Sequence, residues 1–553
     1  MVRAIVAGSR ADTSWATIAI CSFPSTAGIL FGYDSGWIAG VLAMRAFKRD
    51  FGHPNSTEEL AWNGYLYSST DKALITSILS AGTFCGALSA GYVADRIGRR
   101  NAIILGSAIY TIGVVPEMVA PIGGTPVMVV GRAVAGFGVG VVSASTIMYV
   151  SEITPKQIRG SIMGAYQLAI TSGILFAACV SIGTQSLLSS AAYRIVIGVQ
   201  FLWALWLGLG LLFMPESPRW FMMKGKEEKA KKALAQIYRR SADSDFVEQE
   251  YKVLEESYQA EMAAGAANAS FLDCFKGGFN RGSNLHRTFI GTSIQMFQQL
   301  TGVNFIFYYG TTFFQRAGIS NPFVISLIVA AVNTASTPMA LWAIERFGRR
   351  KLLITGAMGM TICELIVAII GTVLPNAHVA QNVLITFVCI YIFFFAATWG
   401  PCAWTVCGEI FPQRTRSQGT ALSTASNWFF NFLISFVAPY LVDQDHANLG
   451  PKIFFIFGAC TIACGFFAKF VIYETQGLSL EQTDMMMKEV SARESPKWWG
   501  RTGLARVDSP GDSPSTVSTR KPWGRKSKGE ESPQMEQVEQ ARTSSSAPSG
   551  ANV

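Results

Sequence analysis

Long apolar runs separated by short polar connections dominate the chain. Six runs precede residue 215, at 17–43, 73–94, 101–119, 126–149, 162–183 and 193–214. Six more follow a polar stretch, at 288–313, 322–344, 352–373, 383–407, 418–440 and 452–472. Each run is near the ~20 residues that a helix needs to cross a bilayer. They are too continuously apolar for the alternating strands of a membrane barrel. The pattern predicts an all-α membrane protein with twelve transmembrane helices.

Short charged motifs recur between the two sets of runs. The sequence DRIGRR at 95–100 returns as ERFGRR at 345–350. Two further pairs return in the same order: Glu152 and Arg159 as Glu409 and Arg416, and Glu216-Ser217 as Glu474-Thr475. Many membrane transporters are built from parallel repeats of hydrophobic helices that enclose a substrate site between two half-bundles. The repetition therefore predicts two pseudo-symmetric six-helix bundles and favours a carrier.

Composition and charge fit this class. The chain is 50% hydrophobic and only 15% charged, whereas soluble domains average about 25% charged residues. Lys and Arg cluster in alternate connections, while the loops at 120–126, 184–192 and 374–382 contain neither. By the positive-inside rule, the basic loops and both termini face the cytoplasm. We expect a multi-pass protein of the cell membrane whose +9 charge reflects topology and implies no nucleic acid.

The polar segments complete the predicted domain organisation. We expect a cytoplasmic N-terminal tail at 1–14, an N-terminal bundle at 15–214, a cytoplasmic linker with short helices at 215–287, a C-terminal bundle at 288–472, and a cytoplasmic tail at 473–553 that is disordered beyond about 490. Asn55 begins an Asn-Ser-Thr sequon in the first external loop and is a candidate glycosylation site.

The chemistry-bearing residues point away from an enzyme. The ten cysteines are scattered, and none of the four histidines lies in a motif. We see no disulfide framework, metal site or catalytic constellation. We therefore expect no cofactor, and we expect the protein to function as a monomer in the lipid bilayer.

Several motifs together carry a family resemblance. These are the two Gly-Arg-Arg loops, PESPR at 215–219, QQLTGVN at 298–304, Gly400-Pro401, Trp404, GEIFP at 408–412 and SNW at 426–428. In this order they resemble the sugar porter family of the major facilitator superfamily, and fungal hexose transporters most. The resemblance covers roughly 15–480. One departure is YETQG at 473–477, where the family usually has Pro-Glu-Thr-Lys-Gly.

The resemblance implies a cytoplasmic gate made of ion pairs that break when the carrier opens inward. Arginines alone could serve as topology anchors, but topology needs no acids, and here acids repeat in register with the arginines. We expect Arg159 to pair with Glu409. The full set is Asp95, Arg99, Arg100, Glu152, Arg159, Glu216, Arg219, Glu345, Arg349, Arg350, Glu409 and Arg416.

Amides inside the predicted spans are candidates for the substrate site. A sugar hydroxyl both donates and accepts, as an amide does, and aromatic faces suit the C–H surface of the ring. The resemblance assigns sugar binding to six amides, with two tryptophans as walls: Gln167, Gln298, Gln299, Asn304, Asn333, Asn427, Trp404 and Trp428. It also puts Tyr308 and Tyr309 near the outer gate. The alternative is that the amides only hold helices together.

Asp34 in the first span and Arg132 in the fourth are ionisable groups within the membrane. Such groups mark function and predict a partner for each. A carboxylate beside a guanidinium can be ionised and paired or protonated and released, which links proton binding to helix movement. Proton-coupled sugar porters have an acid in the Gly-Tyr-Asp context found at 32–34, but fungal facilitators can have one too. We expect Glu117 and Glu364 to be interfacial.

The sequence leaves a main function and its alternatives. The main one is alternating-access transport of a monosaccharide, glucose or a related hexose, in symport with a proton. The first alternative is a glucose sensor of the same fold that does not transport and signals through its cytoplasmic tail. The others are a facilitator or symporter for a pentose or for quinate, whose carboxylate could use Arg132 or a helix N-terminus.

Overall fold

A computed structural model of the protein describes residues 15–54, 64–155, 159–263, 271–319, 321–374, 378–412, 415–443, 446–478 and 480–500. Helices make up almost all of these ranges. Those of the first half are α1 (Trp15–Ser22), α2 (Ala27–Ala43), α3 (Arg45–Phe51), α4 (Ser69–Ile97), α5 (Arg99–Val119), α6 (Thr125–Ile153), α7 (Arg159–Thr184) and α8 (Ala191–Leu212).

The linker and the second half are helical as well. The linker contains α9 (Pro218–Met223), α10 (Glu227–Tyr238) and α11 (Asp245–Ala263). The second half contains α12 (Asn284–Leu300), α13 (Val303–Arg316), α14 (Pro322–Phe347), α15 (Arg349–Val373), α16 (His378–Ala397), α17 (Trp399–Ile410), α18 (Arg416–Val442) and α19 (Ile453–Phe470). A short helix, α20 (Leu480–Glu489), follows.

The prediction of an all-α membrane fold is confirmed. In the described ranges, 11 helical segments are long and apolar enough to cross a bilayer. The seventh predicted span is missing from that set because it is divided into α12 and α13, with 17 and 14 residues. The division falls at Gly302, whose φ of 81° ends one helix and begins the next. The tenth span is also divided, between α16 and α17 at Thr398.

Glycines let the helices pack with their backbones in close approach. Along α2, a Cβ atom added to Gly32 would lie 1.9 Å from the carbonyl oxygen of Ile170 in α7. Between α4 and α6, a Cβ added to Gly136 would lie 2.1 Å from the carbonyl oxygen of Leu79. Small residues at such crossings are how helices associate in lipid, where burying apolar surface provides no driving force.

The chain remains packed farther along than the sequence analysis predicted. Asp484 of α20 forms an ion pair at 2.7 Å with Arg287, which is 1% exposed. Beyond α20, the carbonyl of Ala492 accepts a hydrogen bond from Arg350, and Trp498 is buried. The predicted onset of disorder at about 490 is therefore too early. Residues 501–553 lie outside the described ranges.

The close approach of α2 and α7 generates a prediction. Gly32→Val should separate the two helices, because its side chain would overlap the backbone of Ile170. Overpacking of this kind costs about 1–3 kcal/mol. The apparent melting temperature of the detergent-purified protein should fall by several degrees. Gly183→Val is the control, since nothing lies within 4 Å of its added Cβ. Equal melting temperatures for Gly32→Val and the wild type would contradict this packing role.

Candidate functional site

The arginine loop of the first half is the centre of an ion-pair cluster. Arg99 Nε lies 3.1 Å from Glu152 Oε1, and Arg99 Nη2 lies 3.0 Å from Asp95 Oδ1. The other oxygen of Glu152 accepts a hydrogen bond from the hydroxyl of Ser217. Arg99 is only 4% exposed, so its charge needs these carboxylates. The cluster joins the α4–α5 loop to α6 and to the start of the linker.

The second half repeats this cluster. Arg349 Nη2 lies 2.9 Å from Glu409 Oε1 and 3.5 Å from Glu345 Oε1. Thr475 donates to the other oxygen of Glu409 at 2.5 Å, as Ser217 does to Glu152 in the first half. Each of these ion pairs joins residues of one half, so among the described side chains the clusters brace each half separately.

The carboxylates of Glu216 and Glu474 accept hydrogen bonds from backbone N–H groups instead of from arginine side chains. Glu216 Oε1 accepts a hydrogen bond from the backbone N–H of Arg100 at 3.0 Å. The two oxygens of Glu474 accept from the N–H groups of Arg349 and Arg350, at 2.9 and 3.2 Å. These N–H groups lie in the first turns of α5 and α15, where helix N–H groups have no partner within the helix. Both carboxylates therefore cap a helix at the end that favours negative charge.

The glycine of each arginine loop makes room for this cap. Gly98 and Gly348 have φ angles of 102° and 86°, which side-chain-bearing residues rarely adopt. An added Cβ at Gly98 would lie 2.3 Å from Glu216 Oε2, and one at Gly348 would lie 2.5 Å from Glu474 Oε2. The repeated Arg-x-Gly-Arg-Arg motif thus encodes a tight turn, a helix start and the space for a carboxylate.

Most of the remaining gate candidates donate hydrogen bonds to backbone carbonyl groups, and one of them has a side chain outside the described residues. Arg100 donates to the carbonyl of Met214 at 3.0 Å, and Arg350 donates to that of Ala492 at 2.8 Å. Arg416 donates to the carbonyl of Phe411 at 3.4 Å, and Arg219 lies in α9. The side chain of Arg159 lies outside the described residues. Its predicted pairing with Glu409 therefore stays a prediction, and the described partner of Glu409 is Arg349.

An ion-pair cluster that the sequence analysis missed joins the two halves on the opposite side. Lys72 Nζ, at the start of α4, lies 2.5 Å from Asp443 Oδ2, just after α18. Arg316, at the end of α13, lies 3.1 Å from Asp443 Oδ1. Lys72 and Asp443 are 5% and 6% exposed. Asp443 thus holds one cation from its own half and one from the other half.

Four predicted amides meet in one hydrogen-bonded network. Asn427 is at its centre: its Nδ2 group donates to Gln295 Oε1 at 2.7 Å and Gln298 Oε1 at 2.8 Å, and its Oδ1 accepts from Gln299 at 2.9 Å. Asn304 donates to Gln299 Oε1 across the break between α12 and α13. Gln298 uses both of its N–H donors on the carbonyls at the start of α17. The network joins α12, α13, α17 and α18.

Other predicted site residues keep unsatisfied polar atoms. Gln167 Oε1, Asn333 Oδ1 and Trp428 Nε1 are buried without a hydrogen-bond partner. They come from α7 of the first half and from α14 and α18 of the second. Leaving such atoms unpaired is costly, and they are able to bond the hydroxyl groups of a ligand. The ring of Trp428 packs edge-on against Phe31, with ring centroids 4.8 Å apart.

Two amides of the site region were not predicted. Gln295 belongs to the Asn427 network. Asn431, one turn beyond Asn427 on α18, accepts hydrogen bonds from Ser80 of the first half at 2.8 Å and from Tyr308 of the second at 3.1 Å. The four-residue spacing of Asn427 and Asn431 could have revealed Asn431.

Two predicted aromatic residues lie in the same region. Tyr309, predicted near the outer gate, donates to the Ser435 carbonyl at 2.6 Å, and Trp404 is half-buried in α17.

The structure brings Asp34 and Arg132 together. Arg132 Nη1 lies 3.9 Å from Asp34 Oδ1, and both side chains are buried. Trp37 donates to the same carboxylate oxygen at 3.1 Å, and the guanidinium of Arg132 lies over the Trp37 ring at 4.9 Å. With its amide oriented to donate, Gln200 also reaches Asp34 Oδ1 at 3.0 Å. The guanidinium contacts the carboxylate without a close hydrogen bond.

The prediction that Glu117 and Glu364 are interfacial is wrong. Their exposures are 0% and 1%. Glu117 lies near Arg132 and Asp34, while Glu364 in the second half accepts a hydrogen bond from Thr461 at 2.7 Å. The sequence misled at Glu117 because this acid lies two residues from the end of its predicted span, whereas Glu364 lies near the middle of its own span. No group of His, Cys, Asp and Glu among the described residues could hold a metal ion.

Known proteins resemble this chain over most of its length. The probable glucose transporter rco-3 of Neurospora crassa is 44% identical over 89% of this chain and 83% of its own length. The high glucose sensor RGT2 of Saccharomyces cerevisiae is 37% identical over 86% of this chain, but only 61% of its own length is covered.

A solved structure and a family model agree with these relatives. The proton:xylose symporter XylE from E. coli, bound to 6-bromo-6-deoxy-D-glucose, superposes with a TM-score of 0.70 at 27% identity, over 85% of this chain and 99% of XylE. The family model described as "Sugar (and other) transporter" matches residues 20–487. On the family match and these identities, and in agreement with its all-helical membrane fold, the chain belongs to this sugar transporter family of the major facilitator superfamily.

Proposed function

We propose that the protein carries a monosaccharide, glucose or a related hexose, across the cell membrane by alternating access in symport with a proton. The observation that carries this proposal is the set of unpaired buried atoms of Gln167, Asn333 and Trp428 beside the Asn427 network. The probable glucose transporter and the proton:xylose symporter named above support a sugar substrate and proton coupling.

The chemistry of the site favours a neutral substrate. Among the predicted sugar-binding residues, the buried groups without a partner are an amide oxygen from each half, of Gln167 and Asn333, and the indole N–H of Trp428. Amide oxygens accept hydrogen bonds from sugar hydroxyls, and the indole donates one. Arg132, the buried cation that could have held a carboxylate, already faces Asp34. A hexose suits this site better than quinate, whose carboxylate would need a cation of its own.

Alternating access requires contacts that close one side at a time. We assign the outer closure to the Lys72–Asp443 pair and to Asn431, which bridges Ser80 and Tyr308. On the cytoplasmic side, the Arg99 and Arg349 clusters keep each half rigid as the halves separate. Motion then changes the contacts between halves while those within each half are kept.

The topology follows from the same proposal. The arginine loops, the linker and both termini face the cytoplasm, as the positive-inside rule requires. Lys72 and Asp443 then lie on the external side. Asn55 falls in the first external loop, outside the described residues, and is proposed as the glycosylation site. We propose that the protein works as a monomer and that it catalyses no chemical reaction.

A glucose sensor of the same fold is the second candidate. RGT2, a relative with that name, supports it. This chain is 37% identical to that sensor and 44% identical to the probable glucose transporter. The higher identity favours the transporter.

Uptake measurements distinguish these functions. In cells lacking their own hexose carriers, the protein should take up labelled glucose in preference to xylose and quinate, and a protonophore should abolish accumulation. Protonophore-insensitive glucose uptake would indicate a facilitator. A transcriptional response without uptake would indicate the sensor.

The role of Asp34 can be tested by removing its charge. Asp34→Asn should abolish uphill accumulation but retain exchange of labelled sugar, because the Asn cannot bind and release a proton beside Arg132. Both activities are measured in proteoliposomes with and without a pH gradient. Unchanged accumulation by Asp34→Asn would show that coupling lies elsewhere.

The unpaired amides should contribute directly to sugar affinity. Asn333→Ala and Gln167→Ala should each raise the KM for glucose about 3- to 10-fold, because a lost hydrogen bond costs about 0.5–1.5 kcal/mol. The matched control is Asn382→Ala, which removes an exposed amide near the start of α16. A KM equal to the wild-type value in both site variants would contradict substrate contact.

The ion pair of Lys72 and Asp443, which joins the two halves, leads to a prediction about conformation. Lys72→Met removes the cation from the first half, while Arg316 continues to hold Asp443. The outward-open state should become more populated. A cysteine introduced at Ala39, which lines the cavity between the halves, should then react faster with an external membrane-impermeant maleimide.

The control for this experiment is Lys452→Met, which removes an exposed cation on the same side. Labelling is compared with that of the protein lacking the added cysteine, so that native thiols are subtracted. Equal labelling rates in Lys72→Met and Lys452→Met would exclude Lys72 as part of the closure.

A further inference from the structure

Glu117 is a buried acid that the proposed transport mechanism does not yet use. It lies near the end of α5, its exposure is 0%, and neither carboxyl oxygen has a hydrogen-bond partner in the described part of the chain. Acids inside a membrane protein are costly and by default mark function. A carboxylate with no donor in contact with it is the most costly form of such a group.

The charged neighbours of Glu117 belong to the coupling site. Arg132 of α6 and Asp34 of α2 both interact electrostatically with it. The backbone of Gly131, next to Arg132, is so close that an added Cβ would lie 2.9 Å from Glu117 Cγ. From its own helix, the only titratable neighbour in this cluster is the hydroxyl of Tyr110.

The third helix packed against Glu117 contributes no charge to the cluster. Gln200 of α8 reaches both acids with a neutral amide: it interacts with Glu117 and, when oriented to donate, with Asp34 Oδ1 at 3.0 Å. Arg194 of the same helix donates to the carbonyl of Ala120, at the end of α5. Gln200 therefore links the two carboxyl groups without neutralising either.

Charge balance fixes the number of protons in this cluster. Two ionised carboxylates and one guanidinium would leave one net negative charge in the membrane interior, which is strongly unfavourable. One carboxyl must therefore hold a proton. Asp34 has the Trp37 N–H and the Arg132 guanidinium beside it, whereas Glu117 has only the neutral amide of Gln200. These contacts make Asp34 the more favourable place for the anion and Glu117 the more favourable place for the proton.

We propose that Glu117 is a second proton-binding residue of the coupling site, which exchanges roles with Asp34 during transport. This inference rests on the proposed proton symport. When a proton binds the Asp34 carboxylate, the Glu117 carboxyl releases its proton to the other side and becomes the anion that balances Arg132. Arg132 stays charged, and the cluster keeps one proton and no net charge at each step.

Glu117→Gln tests this exchange, because the amide keeps the shape of a protonated carboxyl but cannot ionise. In this variant, protonating Asp34 leaves Arg132 without an anion, so proton binding requires a lower pH. The pH profile of protonophore-sensitive glucose accumulation should shift to lower pH by about one unit or more. Glu117→Asp keeps an ionisable carboxyl and should restore a profile close to that of the wild type.

The control is Glu364→Gln, which alters a buried acid of the second half bound to Thr461 and distant from Arg132 in sequence and fold. It should leave the pH profile unchanged. Abundance at the cell surface and sugar exchange without a pH gradient show that each variant is folded. A wild-type profile in Glu117→Gln would overturn the proposal and assign Glu117 a permanently protonated, structural role.

Failure of the underlying symport would look different. In that case, wild-type glucose uptake itself would be insensitive to the protonophore and to external pH. A proton-coupled wild type with an unshifted Glu117→Gln profile would reject only the role of Glu117. A shifted profile that Glu117→Asp fails to restore would also reject the exchange, because a second ionisable carboxyl would then make no difference.

Discussion

The need to satisfy polar groups without water governs this structure. Within a bilayer, every buried donor, acceptor and charge must find its partner inside the protein. Helices satisfy their own backbone groups, and the helix ends at the arginine loops are satisfied by Glu216 and Glu474. The amides around Asn427 satisfy one another. The polar atoms left without a partner include those of Gln167, Asn333 and Trp428, and those of Glu117 and Arg132.

The contacts of the arginine loops are duplicated between the two halves, whereas the ion pairs described on the other side of the membrane are not. Both arginine loops have the same positive-φ glycine, the same capping glutamate and the same bridging acid. On the opposite side, Lys72 and Asp443 form a pair that spans the two halves. The repeated unit therefore stabilises each half as a body, and the unrepeated contacts determine how the two bodies meet.

The sequence predicted the architecture because its signals are local. Apolar runs, the positive loops and the repeated motif each depend on a short stretch of chain, and they predicted the all-α membrane fold correctly. Contacts between distant residues were the ones missed. Nothing in the neighbourhood of Lys72 or Asp443 reveals that the two meet. The spacing around Glu216 likewise cannot show whether its carboxylate faces a guanidinium or the N–H groups of a helix end.

The break in the seventh span has a consequence for movement. At Gly302 the backbone turns away from the helical path, so the hydrogen bonds of a continuous helix are already absent there. The outer segment, α13, can tilt against α12 by rotating a few dihedral angles, without breaking a helical ladder. Asn304 and Gln299 bond across this joint, so a sugar that drew either amide away would loosen it. The hinge of the outer segment and the recognition of the substrate would then share one pair of side chains.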